Sequence, residues 1–172
     1  MKRTLAFLMA LFLTLTACNL KTATPTATAP SIPTSPSTIT ITVYFTNLAN
    51  FQVGTEPYEK AVTRTIPATN SLPSAVLTQL FLGPTADEKA QGLDVFLSGA
   101  IGFSQLTIED GVARVYLTGT CNSGGATYTI GNLINANLMQ FPEIQWVKIY
   151  DQNGETETPA GQSSSIPFCL EP

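Results

Sequence analysis

Apolar positions recur in three different rhythms along this chain, and each rhythm predicts a different kind of structure. The first is alternation: Ile39, Ile41, Val43 and Phe45 interleave with Thr40, Thr42, Tyr44 and Thr46, the period-two pattern of a strand with one buried face. A shorter strand is predicted over Val62–Ile66, and a last one over Ile144–Tyr150. Leu106–Ile108 and Val112–Leu117 flank Glu109-Asp110-Gly111, where Asp-Gly supplies the positive dihedrals of a tight hairpin turn. The second rhythm is helical. After Ser71 and Pro73, Leu72, Val76 and Leu80 recur every four residues with Leu77 and Phe81 beside them, and Gly83-Pro84 ends the run. Thr85 and Glu88 have capping-box spacing, which predicts a further helical turn closing near Gly92. Between Ser123 and Phe141, the side chains of Ile130, Leu133, Ile134, Leu138 and Phe141 share one helical face, and Pro142 stops the helix. The resulting order, β-β-α-β-β-α-β, predicts an α+β domain: a single sheet of about four to five strands with two main helices on one face.

The third rhythm is a continuous apolar run from Leu5 to Leu15, broken only by Thr14, behind Lys2 and Arg3 and ahead of Leu15-Thr16-Ala17-Cys18. A basic start, a short apolar stretch and small residues before a cysteine read as a lipoprotein signal peptide, residues 1–17, with Cys18 as the lipidated residue. Residues 18–38 are dominated by Thr, Ala, Pro and Ser; they carry too little apolar surface for a core and predict an extended spacer. The globular domain then runs over 39–172, a length that suits one core. The predicted location is the extracytoplasmic side of a cell membrane.

Composition narrows the partners. The signal holds two of the 8 basic residues and none of the 12 acidic ones, leaving six basic against twelve acidic, a net charge of −6. An acidic domain with no His and few cations has no electrostatic grip on nucleic acid or on an anionic lipid surface. Membrane attachment is therefore expected through the lipid on Cys18, where two or three acyl chains hold well. Cys121 and Cys169 are the remaining thiols and, in an exported compartment, read as a disulfide pinning the C-terminal tail, with two free buried thiols as the alternative. Closing a loop of about fifty residues contributes roughly 4 kcal/mol in the chain-entropy view.

No catalytic constellation emerges. Without His the usual general base, the Ser-His and Cys-His pairs and most zinc sites are missing. Asp87-Glu88 and Glu109-Asp110 pair carboxylates, but the first suits a helix's opening turn and the second a hairpin turn. Ser123-Gly124-Gly125 precedes a helix without a phosphate-loop lysine, and Ser163-Ser164-Ser165 has no base beside it. The chain reads as a non-enzyme with no cofactor and no metal.

Strand parity supplies a candidate surface. With Val43, Val115, Leu117, Val147 and Ile149 facing the helices, Tyr44, Arg114, Tyr116, Trp146, Lys148 and Tyr150 face away, a set rich in the residue types that anchor interfaces. Two readings stand side by side: an open partner surface, or a face covered by the tail that carries Ile166, Pro167, Phe168 and Leu170.

Several segments, in order, resemble the GerMN domain of sporulation and spore germination proteins. They are Val43-Tyr44-Phe45; Leu80-Phe81-Leu82-Gly83-Pro84-Thr85 with Glu88 and Gly92-Leu93; Ile108-Glu109-Asp110-Gly111-Val112-Ala113-Arg114-Val115; and Leu138 to Phe141 with Pro142 and Val147. The resemblance covers nearly all of the globular part, as one copy with an added cysteine-bearing tail. It implies a non-enzymatic fold like that of ring-building motifs, acting by protein contacts as a scaffold or accessory part of an envelope or sporulation-related assembly, with self-association to be tested. The alternative function is a small-ligand or cell-wall glycan-binding module that uses the aromatic sheet face.

Overall fold

A computed structural model describes residues 37–172. The signal segment, Cys18 and nearly all of the spacer lie outside the described residues. β1 (Thr38–Asn47) leads through α1 (Leu48–Val53) into β2 (Glu59–Pro67), followed by α2 (Leu72–Leu82), α3 (Ala86–Ala90) and the two-residue β3 (Leu93–Asp94). β4 (Ala100–Glu109) and β5 (Val112–Gly119) form the hairpin, and α4 (Ile130–Leu138) crosses to β6 (Trp146–Tyr150). A 3-10 turn at Phe168–Leu170 ends the chain's regular structure.

The local chemistry explains most of these boundaries. Asp110 and Gly111 take φ of 51° and 77°, the paired left-handed residues of a two-residue hairpin turn. Both halves of the Thr85–Glu88 capping box form: Thr85 Oγ1 accepts from Glu88 N at 3.3 Å and Thr85 N donates to Glu88 Oε2 at 2.7 Å. α4 begins later than Ser123 because Thr129, not Ser123, is its cap, with Asn132 closing a second capping box. α1, which no apolar period predicts, is capped by Asn47 and ended by Gly54 at φ 68°.

The α+β class holds, but the strands form two three-stranded sheets, β2-β1-β3 and β4-β5-β6, where a single sheet was expected. β1 is antiparallel to both its neighbours, β4 and β5 are antiparallel, and β5 and β6 run parallel through the α4 crossover. The reason lies at the β1 edge that faces away from β2. There Thr46 pairs with Asp94 of β3, Tyr44 N donates to Asn137 Oδ1 and Tyr44 O accepts from Asn137 Nδ2, both at 2.9 Å. Gln140 Nε2 donates to Thr42 O at 3.2 Å. Amides of the α4 segment thus occupy the backbone groups that a further strand would need. Asn137 is fully buried and also donates to Leu133 O, so its side chain is satisfied where it lies.

α2 and α4 pack on each other and both on β1, α2 also meeting β4 and α4 meeting β6. One core results, in which Val43 and Phe45 of the first sheet and Val115, Val147 and Ile149 of the second join Leu77, Leu80, Leu133 and Ile134 of the helices. Among the described residues no helix is long and apolar enough to cross a membrane.

Candidate functional site

The inward half of the parity reading holds: Val43, Val115, Leu117, Val147 and Ile149 are all buried. The outward half does not make one open surface. Tyr44 lies in the first sheet, half-buried, with its backbone bonded to Asn137. The other five share the outer face of the second sheet, where register sets Arg114 beside Lys148 and Tyr116 beside Tyr150. The two tyrosine rings stack at 4.6 Å with an interplanar angle of 12°. Yet Lys148 is 0% and Tyr150 7% exposed, while Arg114, Tyr116 and Trp146 are half-buried.

What covers Lys148 is the segment following β6. Ser165 N donates to Val147 O and Ile149 N to Ser165 O, laying the chain along the β6 edge. Lys148 Nζ donates to Thr158 O at 2.5 Å, Ala160 O at 3.1 Å and Ser163 Oγ at 3.4 Å. The covering chain is thus polar, the run through Ser165, and not the apolar end of the tail. Leu170, 1% exposed, and Ile166 join the core instead, while Phe168 stays 66% exposed. Cys121 and Cys169 are joined as a disulfide with Cα atoms 5.6 Å apart, holding the end of the tail beside the segment after β5. Burial, with Arg114 adding like-charge repulsion, pushes the Lys148 ammonium below its ordinary value.

The other candidate chemistry resolves into structure. Glu88 is held by Arg64, Nη2 to Oε2 at 2.5 Å and Nε to Oε1 at 3.3 Å, and that bond keeps its carboxyl below the ordinary value. Arg64 Nη1 also reaches Gln79 O and Oε1, Nη2 reaches Gly83 O, and the guanidinium lies 4.9 Å from the Phe45 ring centre. Val62, Arg64 and Ile66 share strand parity, so an arginine on the inward side was the available signal that an acid must meet it. Glu109 lies 3.8 Å from Arg114. Gly124 N and Gly125 N are taken by the side chains of Asn122 and Ser123, which leaves no anion cradle there. Ser163 is a ligand of Lys148.

A cleft not foreseen from the sequence opens where β2 begins and α4 starts. Glu56, Tyr58, Glu59, Tyr128 and Asn132 line about 710 Å³, and a second hollow of about 570 Å³ continues it, sharing Glu59, Thr127 and Asn132 and reaching Glu157. Its aromatic wall is rigid: Phe51 packs on Tyr58, Phe96 and Tyr128 with ring centres 5.0 to 5.7 Å apart, and Tyr58 meets Tyr128 edge-on at 5.5 Å. Tyr128 Oη donates to Glu59 Oε1 at 2.8 Å, and its own burial, together with that carboxylate, pushes the phenol above its ordinary value. The four first N–H groups at the α4 cap and opening turn are consumed inside the fold: Thr129 N by Asn132 Oδ1, Ile130 N by Ser98 Oγ, Gly131 N by Thr129 Oγ1 and Asn132 N by Thr129 O.

Comparison with known proteins places the chain in a family. Residues 42–158 match the Germane family, described as sporulation and spore germination. Among solved structures the chain is similar to the tandem GerMN domains of the sporulation protein GerM from Bacillus subtilis, at 20% identity and a TM-score of 0.48, over 84% of this chain. This chain covers 51% of that one, about half its length. No curated protein matches. The matched span runs from β1 past β6 and takes in both sheets and all four helices, and the chain belongs to the Germane family of sporulation and spore germination domains, which are generally non-enzymatic.

Proposed function

We propose that the chain is a lipid-anchored accessory or scaffold protein on the extracytoplasmic side of a cell membrane, acting by protein contacts in an envelope or sporulation-related assembly and not by catalysis. The observation that carries this reading is the family match across both sheets. It is supported by the fate of the acidic pairs, since Glu88 is committed to Arg64 and to its own helix cap, and by the absence of His from the sequence. The anchor rests on the signal-like segment and Cys18. The glycan-binding alternative required an open aromatic sheet face, and it loses support because Lys148 is buried beneath the tail and Tyr150 is buried and stacked on Tyr116.

The test is in-cell crosslinking of the full chain followed by affinity purification, beside a Cys18→Ala version. The expected outcome is a membrane-bound chain that brings down a discrete protein partner, with the Cys18→Ala version unprocessed at the signal and losing both partner and stable lipid attachment. A Cys18→Ala chain that is still processed and membrane-bound overturns the anchor, and a full chain that captures no protein overturns the scaffold.

A further inference from the structure

The described domain carries five basic residues against twelve acidic ones, a net charge of −7. Two of the five cations are held by hydrogen bonds, Arg64 by Glu88 and Lys148 beneath the tail, and a third, Arg114, is half-buried 3.8 Å from Glu109. That leaves Lys60 and Lys89 as the exposed ones, and neither lines the cleft beside Tyr128. The cleft and its continuation contain Glu56, Glu59 and Glu157 and no lysine or arginine at all. Tyr128 occupies only one oxygen of Glu59, and Glu56 is exposed. The one feature there suited to an anion, the start of α4, has its N–H groups consumed by the capping box and Ser98. The side-chain charge lining the cleft is therefore negative, and the low-dielectric wall that Tyr58 and Tyr128 form in its first hollow focuses that field.

We propose that this cleft receives a basic segment of a protein partner, with a lysine or arginine stem laid along Tyr58 and its charged end between Glu56 and Glu59. The proposal rests on the protein-binding reading above and names the chemistry of the partner. A long cationic side chain matches both parts of the site, because its methylenes pack on an aromatic face while its head keeps carboxylate partners. A bare metal ion does not match: among the described residues no group of three or more Asp, Glu, Cys or His stands ready to hold one. Length points the same way. The shared wall of Glu59, Thr127 and Asn132 joins two hollows on the way to Glu157, a track for several residues of extended chain rather than for one small amine. The tyrosines bring little ordering cost, since Tyr58 and Tyr128 are already fixed by Phe51 and by each other.

The probe is a fluorescein-labelled peptide of alternating Lys and Ala, and the same peptide with every lysine acetylated, titrated against the purified full chain in detergent. The lysine peptide is expected to bind about tenfold tighter than the acetylated one, less so as salt rises. Glu56→Gln with Glu59→Gln should weaken it by about tenfold, and Glu143→Gln with Glu155→Gln, which removes the same charge from exposed positions outside the cleft, by less than about twofold. Glu56→Gln alone leaves the Tyr128 bond intact and should still cost about threefold, so a folding defect at Glu59 cannot decide the matter. Equal losses from the two double variants, or no loss from Glu56→Gln, overturn the proposal. Carbodiimide coupling of the bound peptide should map to Glu56 or Glu59; coupling elsewhere also overturns it. The two readings fail separately. A partner captured in cells but coupled away from the cleft sinks this site alone, whereas a peptide held at the cleft with no protein captured in cells sinks the scaffold and leaves the site.

Discussion

Each sheet buries one cation, and the two are satisfied in opposite ways. Arg64 of the first sheet meets a carboxylate, two backbone carbonyls and an amide oxygen, and so ties β2 to α2 and α3 in one cluster. Lys148 of the second sheet is more deeply buried, at 0% exposure, yet meets only carbonyls and a hydroxyl, all from the chain that follows it by 10 to 15 residues. In the first case opposite charge and hydrogen bonds offset the cost of taking a guanidinium out of water. In the second only dipoles do so, and Arg114 stands next to the ammonium as a like charge. The contrast assigns different work to the two groups. Arg64 fixes distant elements to each other, whereas Lys148 holds down the polar chain that follows its own strand.

The sharpest way to break this comparison is Arg64→Met. Glu88 would keep its cap bond to Thr85 but lose its cation inside a site where both side chains are little exposed, 11% and 13%. A loss of about 3 kcal/mol is expected in chemical denaturation, since the uncompensated charge remains. Arg64→Lys should recover only part of it, because one ammonium does not span Gln79, Gly83 and Glu88 together. A loss below about 1 kcal/mol for Arg64→Met would mean that the helices hold the first sheet without the ion pair.

Lys148→Met should cost less, about 1 to 2 kcal/mol, because it leaves Thr158 O and Ala160 O without their donor while sparing the core. Its distinguishing mark is locality. The amides of Thr158 and Ser165, now bonded to Ser165 Oγ and Val147 O, should exchange faster, and Trp146 should become easier to quench. The Tyr44 amide, held by Asn137, should not change. Uniform acceleration across both sheets would show that Lys148 supports the whole domain and not its cover.

The parts that were legible in the sequence are the ones written within a few residues. Asp110-Gly111 specifies its turn, Thr85 and Glu88 their cap, and strand parity buries Val115 and Ile149 whatever the partners are. The division into two sheets depends instead on Asn137 reaching Tyr44 across 93 positions, and no local period encodes which element will claim a free strand edge. The cleft is equally distant in sequence, for Glu59 and Tyr128 meet across 69 positions. The cover failed to show for another reason. Its grip on Lys148 is made by backbone carbonyls, which every residue carries, so a Thr-, Ser- and Pro-containing stretch looked like any loop. Lys148 itself was the available signal: a lysine between Val147 and Ile149, on a face about to be covered, needs oxygens.

The smallest effect, and the one that isolates the charge, is the response to alkali. Lys148 titrates below its ordinary 10.5 in the fold. Between its folded value and 10.5 the unfolded chain binds more protons at this site, so stability must rise with pH across that window. Below it, the burial cost of the ammonium is present in full. Tyr128 acts in the opposite sense and higher up, since its raised value makes the folded chain the better proton binder above 10. Its contribution is shared by wild type and Lys148→Met and cancels in their difference. Denaturation midpoints of the two proteins, measured from pH 7.5 to 10, should therefore move apart as wild type gains stability relative to the variant. A constant gap would mean that the dipoles of Thr158, Ala160 and Ser163 stabilise the ammonium as well as water does, and the second sheet's cation would then be as fully answered as the first.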